Sequence, residues 1–228
     1  MNSQATNQKL HYETVTPQLQ RLLIDLMLNS LFDPFCLVGG TSLSLRLGHR
    51  MSVDIDLFTN APYGSLDFKT FEDFFEKNYP YYSRPDKTDI VGFGRSYYIG
   101  NSEDDNIKVD LYYHDEIIEP FDLIDGIRIA NLNDVIAMKV DVISRGGRKK
   151  DFWDLHELLE MFSIPEMLEI HRQHFEYTHD RAHIINNFTN FEIADEEIDP
   201  ICLKGKIWEI IKLDFTEEIE KISKNYIT

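Results

Sequence analysis

Only two cysteines occur among the 228 residues, Cys36 and Cys202, and they lie far apart. That excludes a disulfide framework and leaves no cysteine pair at metal-ligand spacing, so both are expected as buried thiols in a reducing compartment. Positive charge is also scarce. Lys and Arg number 23 against 40 Asp and Glu, a formal net charge of −17. Nucleic-acid binders carry a basic footprint, so any RNA contact must come from a local basic patch or from metal-bridged phosphates. The same sign suits a basic protein partner. No apolar run is long enough for a membrane-spanning helix. Met1 to Gln8 lacks a basic stretch leading into an apolar one. No secretory signal is therefore expected, and the expected location is cytoplasmic.

What remains is the composition of a folded chain, 43% hydrophobic and 12% aromatic, long enough to bury a core as one large or two small domains. Pro17 to Leu31 predicts a helix, with Leu19, Leu22, Leu23, Leu26, Met27 and Leu31 as its apolar stripe. Phe35 to Val38 reads as a short buried strand, and Phe68 to Tyr79 as a helix. Gly94–Gly100 and Ile107–Tyr113 read as a hairpin around the acidic stretch Asn101 to Asn106. Ile127–Ile129 is a further strand, and Asn131 or Asn133 can cap the helix that follows. Lys150 to Phe162 predicts another helix, and the pattern after Pro165 is helical throughout. Strands early and helices late give an α+β architecture. The expected division is a catalytic domain over 1–130, with a mixed sheet, and a helical domain over 131–228 that closes the active-site cleft.

Chemistry concentrates in two alternating runs. In Val53-Asp54-Ile55-Asp56-Leu57 the apolar residues are expected to face a core and both aspartates a cleft, because alternate strand residues share a face. Two carboxylates on one open face repel unless a cation sits between them. Ile107-Lys108-Val109-Asp110-Leu111 repeats the alternation and puts Asp110 on its non-core face. If the two strands are neighbours, three carboxylates could surround a cation site of the kind used for in-line phosphoryl displacement. Gly39-Gly40-Thr41-Ser42, just before, allows close backbone approach to a triphosphate. It is not a Walker loop, because no Gly-Lys-Ser/Thr follows.

The run from Leu37 through Gly39-Gly40-Thr41-Ser42, Arg46, Gly48-His49-Arg50, Ser52 and Asp54-Ile55-Asp56 resembles motif I of the polymerase-beta-type nucleotidyltransferases. More narrowly, it resembles the AbiEii/AbiGii toxin family. Met138-Lys139, and Arg145 to Asp151 with Asp154-Leu155, are similar to that family's later Lys and Lys-Asp-x-x-Asp-Leu motifs. The resemblance spans roughly Leu37 to Leu159. It implies a polymerase-beta-like mixed sheet followed by a C-terminal helical bundle. It also implies catalytic roles for Asp54, Asp56, Asp110, Lys139 and Asp151, with the first three binding Mg²⁺ or Mn²⁺. Gly39, Gly40, Thr41, Ser42, Arg50, Ser52, Lys139 and Asp154 would bind the NTP. Arg145, Arg148, Lys149 and Lys150, the densest basic cluster, are candidates for holding a phosphate-bearing acceptor.

Bland readings stand beside these. Asp151 and Asp154 also complement the dipole at a helix N-terminus. Arg46, His49 and Arg50 could merely balance neighbouring acids. His179 and His183 have the spacing of a zinc pair on a helix, but no Glu lies between them, so ordinary surface or boundary histidines are expected. The functional expectation is a metal-dependent transfer of NMP from NTP to tRNA or another RNA. The resemblance adds that the chain is a toxin with a cognate antitoxin. Transfer to a small-molecule or protein hydroxyl, and a non-catalytic nucleotide-binding role, are the alternatives.

Overall fold

The computed structural model describes residues 9–88 and 91–225. Helix α1 (Pro17–Leu28) opens with the Thr16 hydroxyl accepting the Leu19 N–H at 3.1 Å and Pro17 at the first position. It ends before Leu31, whose segment tightens into a short 3-10 turn, Ser30–Phe32. Strand β1 (Cys36–Leu37) runs directly into α2 (Gly39–Leu47), and β2 is Asp54–Thr59. Next come α3 (Phe68–Asn78), β3 (Tyr81–Ser83), β4 (Gly94–Ser102) and β5 (Asp105–Tyr113). The expected strand β7 (Ile127–Ile129) pairs with β6 (Asp122–Ile124), which was not foreseen, in a tight hairpin that turns on Asp125 and Gly126, both at positive φ. The helices α4 (Leu132–Ser144), α5 (Lys149–Leu158), α6 (Ile164–His174), α7 (Arg181–Asn187), α8 (Glu192–Asp195) and α9 (Trp208–Asn225) complete the chain.

The strands form one mixed seven-stranded sheet in the order β3-β4-β5-β2-β1-β7-β6. Most neighbours are antiparallel, but β2 pairs parallel with β5 and β1 parallel with β7. The fold is therefore α+β, as expected. Alternation works as it should in the centre. Ile55, Leu57, Val109 and Leu111 are fully buried on one face, under α1 and the aromatic cluster of Phe32, Phe71 and Phe75. Each such side chain contributes on the order of 1.5–3 kcal/mol.

A second cluster gathers Val135, Ile136, Val140, Phe152, Leu155, Trp208 and Phe215 from the later helices, and Cys36, Val38 and Leu43 join it. The end of β1 and the start of α2 are thus packed between sheet and helices. Helical character after Pro165 is interrupted. Between α8 and α9 an irregular strap lies against the segment before β2, with Met51 N–H donating to Ile201 O and Leu203 N–H to His49 O, both at 2.9 Å. The strap leaves Cys202 only half-buried, whereas Cys36 is buried.

Candidate active site

Strand register builds the acidic wall. Parallel pairing sets Asp54 beside Lys108 and Asp56 beside Asp110. Because alternate residues share a face, Asp54, Asp56, Lys108 and Asp110 all look away from the core. They line a cavity of about 310 Å³, together with Gly39, Gly40, Arg50, Ser52, Lys139 and Asp151. Val53 does not pack inward as expected. It is 61% exposed, because β2 begins only at Asp54 and the preceding backbone is irregular.

Helix α2 starts one residue after β1. Val38 is its N-cap, and Gly39 has φ +68, a conformation that side chains disfavour. The two glycines are required by their neighbours. A Cβ at Gly39 would overlap the Asp56 carboxylate, and one at Gly40 would overlap the Arg50 guanidinium. Thr41 and Ser42 sit in the first turn, buried and outside the cavity lining. The Thr41 hydroxyl donates to Asp54 O and accepts from Ser52 Oγ at 2.8 Å, so it ties α2 to the start of β2. Ser42 Oγ donates to Gly39 O at 2.8 Å.

Buried Asp154, behind the cavity, centres a charge network that reaches its wall. Arg50 Nε donates to Asp154 Oδ1 at 2.6 Å and Arg50 Nη2 to Oδ2 at 2.8 Å. His49 Nε2 reaches Oδ1 at 2.8 Å. Lys139 Nζ lies 2.6 Å from both Asp154 Oδ2 and Asp151 Oδ1. Burial alone would push the Asp154 carboxyl up, but the Arg50 and Lys139 charges and hydrogen bonds from His49 and Arg50 hold it well below the usual range. Asp151 is likewise lowered, against its burial, by Lys139 and by Arg148, whose Nε donates to Asp151 Oδ2 at 2.8 Å. Lys139 is raised despite its burial, because Asp151 and Asp154 both favour its charge. Asp154 therefore stands one layer behind the cavity and holds two cations that line it.

The basic segment divides. Arg145, Arg148 and Lys150 line the cavity, whereas Lys149 does not. Its ammonium turns away to Glu197 O and to Asp199 Oδ1, 2.9 Å away, and lies over the Trp208 ring. Side chains that sequence reasoning passed over, Lys108, Phe58, His114 and Asp141, also line the cavity. Lys108 was detectable from its place two residues before Asp110 on the same face. Arg46 is turned elsewhere, to Asp122 at 2.7 Å and Ala130 O at 2.9 Å. His179 precedes α7 rather than sharing a helix with His183. It meets buried His171 at 2.8 Å, while His183 bonds to Ser144 O.

Among the described residues no three His, Cys, Asp or Glu side chains already converge as an ion-binding group. The acidic wall nevertheless fits a hard divalent cation. Burial, then the Asp110 and Asp54 charges, push the Asp56 carboxyl up to about 6. Asp110 gives one oxygen to Lys108 Nζ, while its buried Oδ1 has no hydrogen-bond partner among the described residues. Crowded carboxylate oxygens with unmet demand are the donor set that Mg²⁺ or Mn²⁺ takes.

A mixed sheet that presents carboxylates from adjacent parallel strands to a glycine-led helix start is the framework of the polymerase-beta-like nucleotidyltransferases, and solved structures agree on the fold. A crystal structure of a candidate nucleotidyltransferase from H. pylori superposes with a TM-score of 0.56 at 20% identity, covering 91% of this chain and 95% of that one. MenT4, a nucleotidyltransferase toxin from Mycobacterium tuberculosis H37Rv, gives 0.56 at 13% identity, covering 87% and 79%. An uncharacterized protein of Aquifex aeolicus (strain VF5), aq_aa25, is 30% identical over 210 residues, which is 85% of this chain and 90% of its own length. The family described as "Nucleotidyl transferase AbiEii toxin, Type IV TA system" matches residues 21–223. The chain belongs to that family and is a nucleotidyltransferase.

Proposed function

We propose that this nucleotidyltransferase moves a nucleoside monophosphate from an NTP to the hydroxyl of an RNA, with tRNA as the acceptor, and acts in the cytoplasm as a toxin held in check by a cognate antitoxin. The observation that carries the reading is the parallel register of β2 and β5, with Asp56 beside Asp110 and Asp54 on the same face. Asp54, Asp56 and Asp110 are the residues that would hold Mg²⁺ or Mn²⁺, which supplies charge neutralisation at the phosphates. In this reading the acceptor oxygen attacks the α-phosphorus and pyrophosphate leaves. Asp110, with its free Oδ1, takes the proton of the attacking hydroxyl. Gly39 and Gly40 let the phosphates approach the start of α2, where free N–H groups favour anions. Arg50 and Ser52 flank that approach, and Lys139 offsets negative charge from below. Asp151 and Asp154 orient Arg148, Lys139 and Arg50. Arg145 and Arg148, at the rim of the cavity, meet the acceptor's phosphates.

The net charge of −17 favours one other reading, transfer to a protein or small-molecule hydroxyl. Incubation with each labelled NTP, Mg²⁺ and total cellular RNA separates the two. Label in a tRNA-sized band is the expected result. Label on protein, or on small molecules alone, overturns the RNA assignment.

A further inference from the structure

Among the described residues, six lysine and arginine side chains line the cavity, and five of them already have a carboxylate. Arg50 pairs with Asp154, Lys108 with Asp110, and Lys139 with both Asp151 and Asp154. Arg145 pairs with Asp141 at 2.5 Å, and Arg148 with Asp151 at 2.8 Å. Lys150 is the exception. Among the described residues it makes no hydrogen bond or ion pair. It is half-buried in the first turn of α5, where burial and then repulsion from Arg148 disfavour its charge, while Asp54 favours it. An ammonium withdrawn from water without a partner is costly until an anion arrives. Arg145 and Arg148 have side chains 69% and 50% exposed, so they stand further out on the rim than Lys150.

We propose that Lys150 receives the pyrophosphate portion of the NTP, and so touches the leaving group rather than the acceptor. The assignment rests on the nucleotidyl-transfer reading of the cavity, not on the identity of the acceptor. As the P–O bond to the leaving group breaks, negative charge grows on the pyrophosphate oxygens. Among the described residues, Lys150 is the lining cation with no hydrogen-bonded or paired carboxylate, so it gains most from that growth. Lys139, divided between two aspartates, has less charge to offer.

The test is direct titration of inorganic pyrophosphate with Mg²⁺ into the wild-type chain, Lys150→Met and Lys150→Arg, beside steady-state constants for NTP and RNA. Lys150→Met is expected to weaken pyrophosphate binding about 10- to 100-fold, the scale of a hydrogen bond to a charged group. It should raise the KM for NTP and leave the KM for RNA unchanged, and Lys150→Arg should recover most of the loss. The melting temperature of Lys150→Met should be no lower than wild type, since the substitution removes a poorly solvated charge and, among the described residues, breaks no hydrogen bond or ion pair. Unaltered pyrophosphate affinity in Lys150→Met, or weaker RNA binding alone, overturns the assignment. Lys150-dependent pyrophosphate binding in a chain that labels no RNA would remove the RNA acceptor and leave the role of Lys150 standing.

Discussion

Asp154 grips Arg50 through both carboxylate oxygens, at 2.6 and 2.8 Å, with the Asp154 side chain fully buried and the Arg50 side chain 4% exposed. Two consequences separate this pair from a surface ion pair. Removing one partner leaves an uncompensated buried charge, which costs about 3–5 kcal/mol. Asp154 also shares Lys139 with Asp151, so its loss strips Arg50 of its carboxylate and leaves Lys139 with Asp151 alone.

Asp154→Asn is therefore expected to lower both stability and turnover. Thermal or urea unfolding should show a loss on the order of 3 kcal/mol, and kcat should fall more than the KM for NTP rises. A variant as stable and active as wild type would mean that Arg50 and Lys139 hold their places without Asp154.

The same residue gives a pH dependence of known sign. A carboxyl held below its unfolded value binds fewer protons in the native state, so stability rises with pH. The contribution of Asp154 is complete above its unfolded pKa of about 3.9 and is lost as pH falls from there through the lower folded value. Wild type should lose stability below about pH 4 more steeply than Asp154→Asn, which has no carboxyl to protonate there. Parallel acid limbs in urea titrations of the two proteins would contradict this.

The glycines give a steric prediction. Gly39→Ala must hold a Cβ at φ +68 and against the Asp56 carboxylate, and backbone strain of this kind costs about 1–3 kcal/mol. Gly40→Ala lacks the positive φ but displaces the Arg50 guanidinium. Both should reduce turnover, and Gly39→Ala should melt lower of the two. Equal melting would place the conflict in side chains alone.

Much of this layout was legible in the chain. Period-two alternation put Asp54, Asp56 and Asp110 on non-core faces, because apolar neighbours on both sides left the aspartates one direction to point. Alternation could not reveal that Val53 lies outside the strand, since a side chain's pattern does not say where pairing starts. Helical spacing put Asp151 and Asp154 on one face of α5. Depth decided that Asp151 reaches the cavity while Asp154 sits behind it, and depth depends on where α2 and α4 pack. Lys149 and Lys150, neighbours on α5 and so about 100° apart around it, part company: Lys150 lines the cavity and Lys149 turns to Glu197 and Asp199. The strap that holds His49 and Met51 carries no periodic signal and joins residues about 150 positions apart, beyond any local pattern.

The last prediction concerns toxicity, and it depends on chemistry rather than binding. Family membership makes the chain a toxin-type nucleotidyltransferase, and transfer to tRNA would halt translation. Induced expression without an antitoxin should therefore stop growth. Asp54→Asn and Asp56→Asn keep the side-chain volume, leave the buried face of β2 untouched, and remove one charge each from the acidic wall. Both variants should fold, melt near wild type, lose more than about 100-fold in turnover as metal-dependent charge neutralisation is lost, and fail to arrest growth. Growth curves and tRNA labelling on wild type and both variants, run side by side, check all of this together. Arrest by a variant with no turnover would show that the chain acts by sequestering a partner, and the basic cleft rim would then be the surface to map. Turnover on RNA without arrest by wild type would instead show that the modified RNA still supports translation.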